Sequence, residues 1–197
     1  MLLLVISTLL GIVASSPTHP KARNFIYIVP DGYGVASQVL ARDYQAILHG
    51  HGHALRPNSP QLGADPLVIG TVRTQASDTL TTDSAASATA FACGVKTYNG
   101  AVGVDDDGVP VASVLEAAHL SGFKTGLVVT TRISHATPAC YASHVLDRGA
   151  ENDIAAQEIG YSHPLGNVVD LLLGGGRRHF LPTSEGGRRG DGVNLID

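Results

Sequence analysis

A chain of 197 residues that is 44% apolar and only 15% charged has enough hydrophobic side chain to bury a core, and composition excludes a disordered chain. Its formal net charge of −4 leaves no basic field, so nucleic acid is not expected as a partner and any phosphate must be held by a local site. Two cysteines, Cys93 and Cys140, allow at most one disulfide, which excludes a disulfide framework.

The chain opens with an uncharged apolar run over residues 2–13, followed by Ala14, Ser15 and Ser16. That is the pattern of a secretory signal peptide over residues 1–16, too short to span a bilayer comfortably. It predicts entry to the secretory pathway and a secreted, cell-surface or vacuolar destination. Residues 24–29 are apolar, β-branched and aromatic, and read as a buried strand that Pro30, Asp31 and Gly32 turn sharply, so that Asp31 stands at the strand's carboxyl end. A helical pattern over 35–48 leads into a Gly-, His- and Pro-rich stretch, 49–66, which reads as a surface loop; its His49, His51 and His53 are loop residues rather than a metal cluster.

The Ala- and Ser-rich run 84–93 is a helix, with Asp83 or Ser84 as its cap and Gly94 as its stop. The triplet Asp105, Asp106, Asp107 reads as a solvated turn. A second helix is expected over 111–119, a second buried strand over 125–130, and a third helix from Thr137 as cap, with Pro138 at its first position, to Arg148 before Gly149. Residues 168–173, ahead of three glycines, form a further buried segment. Short apolar strands alternating with helices predict an α/β fold, a mostly parallel central sheet with helices on both faces. Ligands in such folds collect at the carboxyl ends of the strands. Cys93 and Cys140 lie in Ala-rich helical runs, where they read as small buried thiols or as one bridge.

Ser84 carries the chemistry. A serine at the first turn of a helix sits among unpaired backbone N–H groups and a partial positive charge, which stabilise a phosphoryl oxygen or an alkoxide. An acyl-transferring serine would normally occupy a Gly-x-Ser-x-Gly elbow, but Thr82 and Ala86 stand in the glycine positions, so a bound metal is the more natural activator of this hydroxyl. Taken singly, each candidate has a plain structural reading. Ser84 could be a cap, Asp31 a turn residue, Thr137 a cap, and Arg148 a partner for a helix dipole.

The stretch from Thr82 through Ser84 to Ala90, continuing from Cys93 to Gly100, resembles the active-site signature of alkaline phosphatases. The segments 28–34, 131–139 and 173–178 agree with that family in order and approximate spacing. The resemblance implies a phosphate monoester hydrolase acting through a phosphoserine at Ser84, with two Zn2+ and one Mg2+. It implies that Ser84 also binds zinc, that Asp31 bridges a zinc and the magnesium, that Thr137 ligates magnesium, and that Arg148 clamps two phosphate oxygens. His135 stands where family members vary between Asp and His, and imidazole, a softer ligand than carboxylate, leaves the identity of the third metal open. Small phosphate monoesters as substrates and a possible homodimer follow from the same resemblance.

The resemblance also implies an Asp-x-x-x-His motif, an Asp-His pair, a further His and a Glu for the metals; no Asp here is followed by His four positions later, and no Asp-His pair occurs. The expectation is therefore residues 17–197 as the N-terminal part of a single domain, roughly the first half of a complete member and inactive alone. The alternative is a non-catalytic remnant that binds phosphate or metal.

Overall fold

A computed structural model describes residues 22–50 and 61–197; the expected signal peptide, and His51 and His53 of the histidine-rich loop, lie outside them. Helix α1 (Val35–Gly50) follows the turn at Asp31 and Gly32, and is tied to the chain at 65 by Gln38 and Arg42, which both donate to Asp65 Oδ1 at 2.6 Å. Its apolar side chains Leu40, Tyr44, Ile47 and Leu48 remain exposed.

Helix α2 (Ser84–Cys93) has the predicted bounds because both ends are locally encoded. Asp83 caps it, Oδ1 accepting from the Ala86 N–H at 2.9 Å, and Gly94 ends it in the left-handed region at φ 74°. Its buried face is small, Ala85, Ala88 and Ala92, so α2 packs closely on α4 (Ala136–Ala139). Helix α3 (Val114–Leu120) starts three residues later than expected. Ser113 and Glu116 form a reciprocal capping box there, and that fixes the start.

Strand β1 (Gly126–Arg132) pairs in parallel with β2 (Leu171–Gly175), Leu127 opposite Leu172 and Val128 opposite Leu173. The expected α/β architecture with parallel strands is present. Between them lies α5 (Glu151–Glu158), which buries Ile154 and Ala155. Leu127 and Leu172 face a core built on Ala139, Cys140, Ile154 and Val168, whereas Val128, Leu171 and Leu173 are exposed. Cys93 and Cys140 are both free thiols, pushed up to about 12 and about 11 chiefly by burial.

The strand expected over 125–130 and the segment expected over 168–173 are not buried throughout, since one face of the pair, with Val128, Leu171 and Leu173, has no covering element among the described residues. Two further expected elements differ in kind. Residues 24–29 form no strand: apolar sequence supplies no backbone partner, and Phe25, Ile26 and Ile28 are exposed, although Tyr27 meets Tyr141 edge-on and Val29 packs against the core. The helix expected from 137 to 148 is only the four residues of α4, with His135 in the capping place and Thr137 inside it. Beyond Cys140 the chain is drawn off by an antiparallel bridge, Val102 and Val145 exchanging N–H···O bonds of 3.0 and 2.9 Å, and the Arg148 N–H donates to Gly100 O at 2.8 Å. This clasp of 100–102 on 145–148 sets where Arg148 lies.

Gly103 makes the clasp possible. It sits at φ 62°, and a Cβ there would collide with the Ser143 carbonyl and crowd His144 Nδ1. Gly103→Ala combines left-handed strain with overpacking against backbone, each costing about 1–3 kcal/mol. A loss of roughly 2–5 kcal/mol is expected in urea denaturation, against less than about 0.5 kcal/mol for an exposed control substitution.

Candidate active site

The amino end of α2 presents Ser84 half-buried beside its capping residue. Asp83 is held on several sides. Its N–H donates to Asn99 Oδ1 at 2.7 Å, and its Oδ2 accepts from the Gly100 N–H at 3.1 Å and from Arg148 Nη1 at 3.0 Å. Asn99 is itself fixed by Thr79, Thr81 and the Asp78 carboxylate, which accepts from its N–H at 3.1 Å. The turn at 99–100 thus locks the cap, and the cap locks the serine.

Arg148 Nη1 also donates to Ser84 Oγ at 3.0 Å, while Nη2 faces His135 Nε2 at 3.2 Å. One guanidinium therefore links the α2 cap, the serine hydroxyl and the imidazole in front of α4. Its flat fork can hold Asp83 and still offer N–H groups to a bound oxyanion. Burial first, and then the cations of Arg148 and Arg132, hold the His135 imidazole below its ordinary range, which keeps it neutral. Its Nδ1 is buried with no hydrogen-bond partner among the described residues.

Thr137 lies two residues beyond His135, and its hydroxyl donates to Asp31 Oδ2 at 3.2 Å. Asp31 is exposed on the turn before α1. The structure thus joins Ser84, Arg148 and His135 in one contact set and Asp31 with Thr137 in another, and the first turn of α4 carries both His135 and Thr137. Asp31, Thr137 and His135 are a carboxylate, a hydroxyl and an imidazole, donor types that a divalent cation accepts, and the 3.2 Å contact brings the first two together. For two further cations the described residues of this site offer only Asp31 and Ser84, fewer than the three or four donors each zinc requires.

Sequence reasoning missed Asp83 as more than a cap, and missed Glu151. The Glu151 carboxylate takes both Arg132 Nε at 2.7 Å and Nη2 at 3.0 Å, together with the Ser134 hydroxyl at 2.8 Å. Burial opposes its charge, but the hydrogen bonds from Arg132 and Ser134 outweigh that and lower its pKa. Those bonds secure the turn that carries His135. Its position at the start of an uncapped helix gave no signal beyond an acidic residue in a first turn.

A family model described as alkaline phosphatase matches residues 22–197. The chain belongs to the alkaline phosphatase family. The repressible alkaline phosphatase of Saccharomyces cerevisiae is 51% identical over 189 residues, a match covering 92% of this chain and 32% of that relative. Among solved alkaline phosphatases, that of the Antarctic bacterium TAB5 is 37% identical with a TM-score of 0.63, covering 84% of this chain and 42% of the other. A His-to-Asp mutant of the TAB5 enzyme, described with Mg bound in the M3 site, is 41% identical with a TM-score of 0.54 over 62% of this chain and 32% of the other. The chain spans about a third of the length of the curated alkaline phosphatases it matches, which fits the expected partial member.

Loss of the Asp83 carboxylate is expected to release both α2 and Arg148. Asp83→Ala should destabilise the fold by about 1–2 kcal/mol, whereas Asp83→Asn keeps an acceptor for the Ala86 N–H and should cost less. Paired urea melts decide the point; equal losses in the two variants would remove the cap from the argument.

Proposed function

We infer that this chain carries the phosphoryl-accepting part of a metal-dependent phosphate monoester hydrolase. The observation that carries the reading is the 3.0 Å contact of Arg148 with Ser84 Oγ at the amino end of α2, within an alkaline phosphatase chain. The substrate phosphate lies over the helix end, where N–H groups and Arg148 neutralise its oxygens. Ser84 Oγ attacks phosphorus in line, releasing its hydroxyl proton to solvent and forming the O–P bond as the bond to the alcohol breaks, and the departing oxygen takes up a proton from solvent. Water then attacks the phosphoserine, releasing inorganic phosphate and restoring the hydroxyl. Asp83 keeps the guanidinium and the helix end in register through both steps.

Two Zn2+ and one Mg2+ complete the proposal. Asp31, Ser84, His135 and Thr137 would hold them, and when bound they supply Lewis-acid activation of the serine hydroxyl and of water. The Mg reported for the TAB5 mutant supports metal dependence in the family. Because the donors fall short of what two zincs need, these 197 residues are expected to be inactive alone, and the activity to belong to a complete gene product supplying the rest. Small phosphate monoesters are the proposed substrates, a homodimer the proposed assembly, and the secretory pathway, by way of a signal at 1–16, the proposed route.

The complete gene product, incubated with radiolabelled phosphate at acid pH and quenched, should carry label on Ser84 and should lose hydrolysis on chelation. Hydrolysis that persists without metal would refute the mechanism.

A further inference from the structure

Away from Ser84, three side chains from separate parts of the chain converge on one oxygen. Glu116 Oε1 lies 2.9 Å from His144 Nε2 and 2.9 Å from His163 Nε2, and the three donor atoms are all within 4.8 Å of one another. The side chains are 3%, 8% and 1% exposed. The carboxylate cannot turn away, because its other oxygen accepts the Ser113 N–H at 2.6 Å in the α3 capping box.

The hydrogen-bond pattern leaves this cluster short of a cation. His144 Nδ1 stands 2.7 Å from the Gly103 carbonyl, which can only accept, so Nδ1 carries the ring proton. The neutral ring then aims the Nε2 lone pair at a carboxylate oxygen. Something positive must lie between them, either a second proton or a metal ion. A ligating histidine whose other nitrogen donates to a backbone carbonyl is the arrangement that orients imidazole toward a metal. Independently, His163 Nε2 is buried, aimed at the same oxygen, and among the described residues has no hydrogen-bond partner of acceptable geometry.

The geometry points to a buried site for a zinc-type divalent cation held by Glu116 Oε1, His144 Nε2 and His163 Nε2, distinct from the metals of the proposed catalytic centre. Two imidazoles and one carboxylate favour zinc over magnesium or calcium, which prefer all-oxygen sites. In a tetrahedral site with bonds near 2.0 Å the donor atoms stand about 3.3 Å apart, so the two 2.9 Å spacings from Glu116 Oε1 need to open by only a few tenths of an ångström, while the two imidazole nitrogens lie within 4.8 Å of each other. A water would complete four-coordination. Binding displaces the proton shared by Glu116 and His144. In His163 the ring proton moves to Nδ1, giving up the 3.1 Å bond from the N–H of Leu165, an exposed residue whose amide can turn to solvent. The cation would pin α3, the 144–145 limb of the clasp and the loop at 163 to one point.

The complete gene product, stripped with chelator and refilled with zinc, should hold about one equivalent fewer per chain as His163→Gln than as wild type, with hydrolysis retained. Asp31→Ala, which removes a donor of the proposed catalytic site, should keep the equivalent that His163→Gln loses, so failure of either site shows separately. An unchanged zinc count in His163→Gln overturns the inference and leaves a proton-sharing Glu–His–His cluster. Should that variant not fold, anomalous diffraction at the zinc edge from wild-type crystals decides: a peak among Glu116, His144 and His163 supports the site, and its absence overturns it.

Discussion

Ser84→Ala in the complete gene product should lower kcat by roughly 10^4-fold or more while leaving the fold intact. Among the described hydroxyls at the amino end of α2, those of Thr82 and Ser87 are spent on the Asp83 carbonyl and that of Ser84 faces Arg148, a 3.0 Å contact that is replaceable by water. Helix capping is untouched, since Asp83 supplies the bond to the Ala86 N–H. A melt superimposable on wild type, with turnover and phosphate labelling both gone, is the expected pair of results. Retained labelling would move the nucleophile elsewhere.

Arg148→Ala should cost about 10^2- to 10^3-fold in kcat/KM, the scale for removing an oriented donor to a developing oxyanion. Inorganic phosphate should inhibit correspondingly less well. The backbone is expected to stay in place, because the Arg148 N–H to Gly100 O bond and the Val102–Val145 bridge do not involve the side chain. Arg148→Lys keeps a charge but cannot hold Asp83 and two phosphate oxygens at once, so it should recover only a small part of the loss. Steady-state kinetics with a phosphate inhibition series measures all three; equal kcat/KM in wild type and Arg148→Ala would remove the clamp from the mechanism.

Sequence gave α2 to the residue, because Asp83 and Gly94 are local instructions that no distant contact needs to ratify. It also placed Asp31, Ser84, His135, Thr137 and Arg148 as a set, through the resemblance. What it could not supply was tertiary. Residues 24–29 have the composition of a strand, yet pairing is a property of a neighbour. Thr137 followed by Pro138 looks like a cap and first turn, but a bridge to Val102 takes the chain away after α4, and the hydroxyl turns to Asp31. Helix α5 went unread because Ala150 offers no capping side chain and the burial of Ile154 and Ala155 is spread among charged neighbours. Glu116, His144 and His163 share no motif; only folding brings them together.

The clasp also divides the chain into parts that tolerate length variation and parts that do not. The turn at 105–109 closes on itself through Asp105, so insertions at its exposed tip would be absorbed without shifting Val102 or Val145. Between Val145 and Arg148 there is no such slack: a single added or deleted residue would rotate the guanidinium off the serine, however well the rest of the molecule folded.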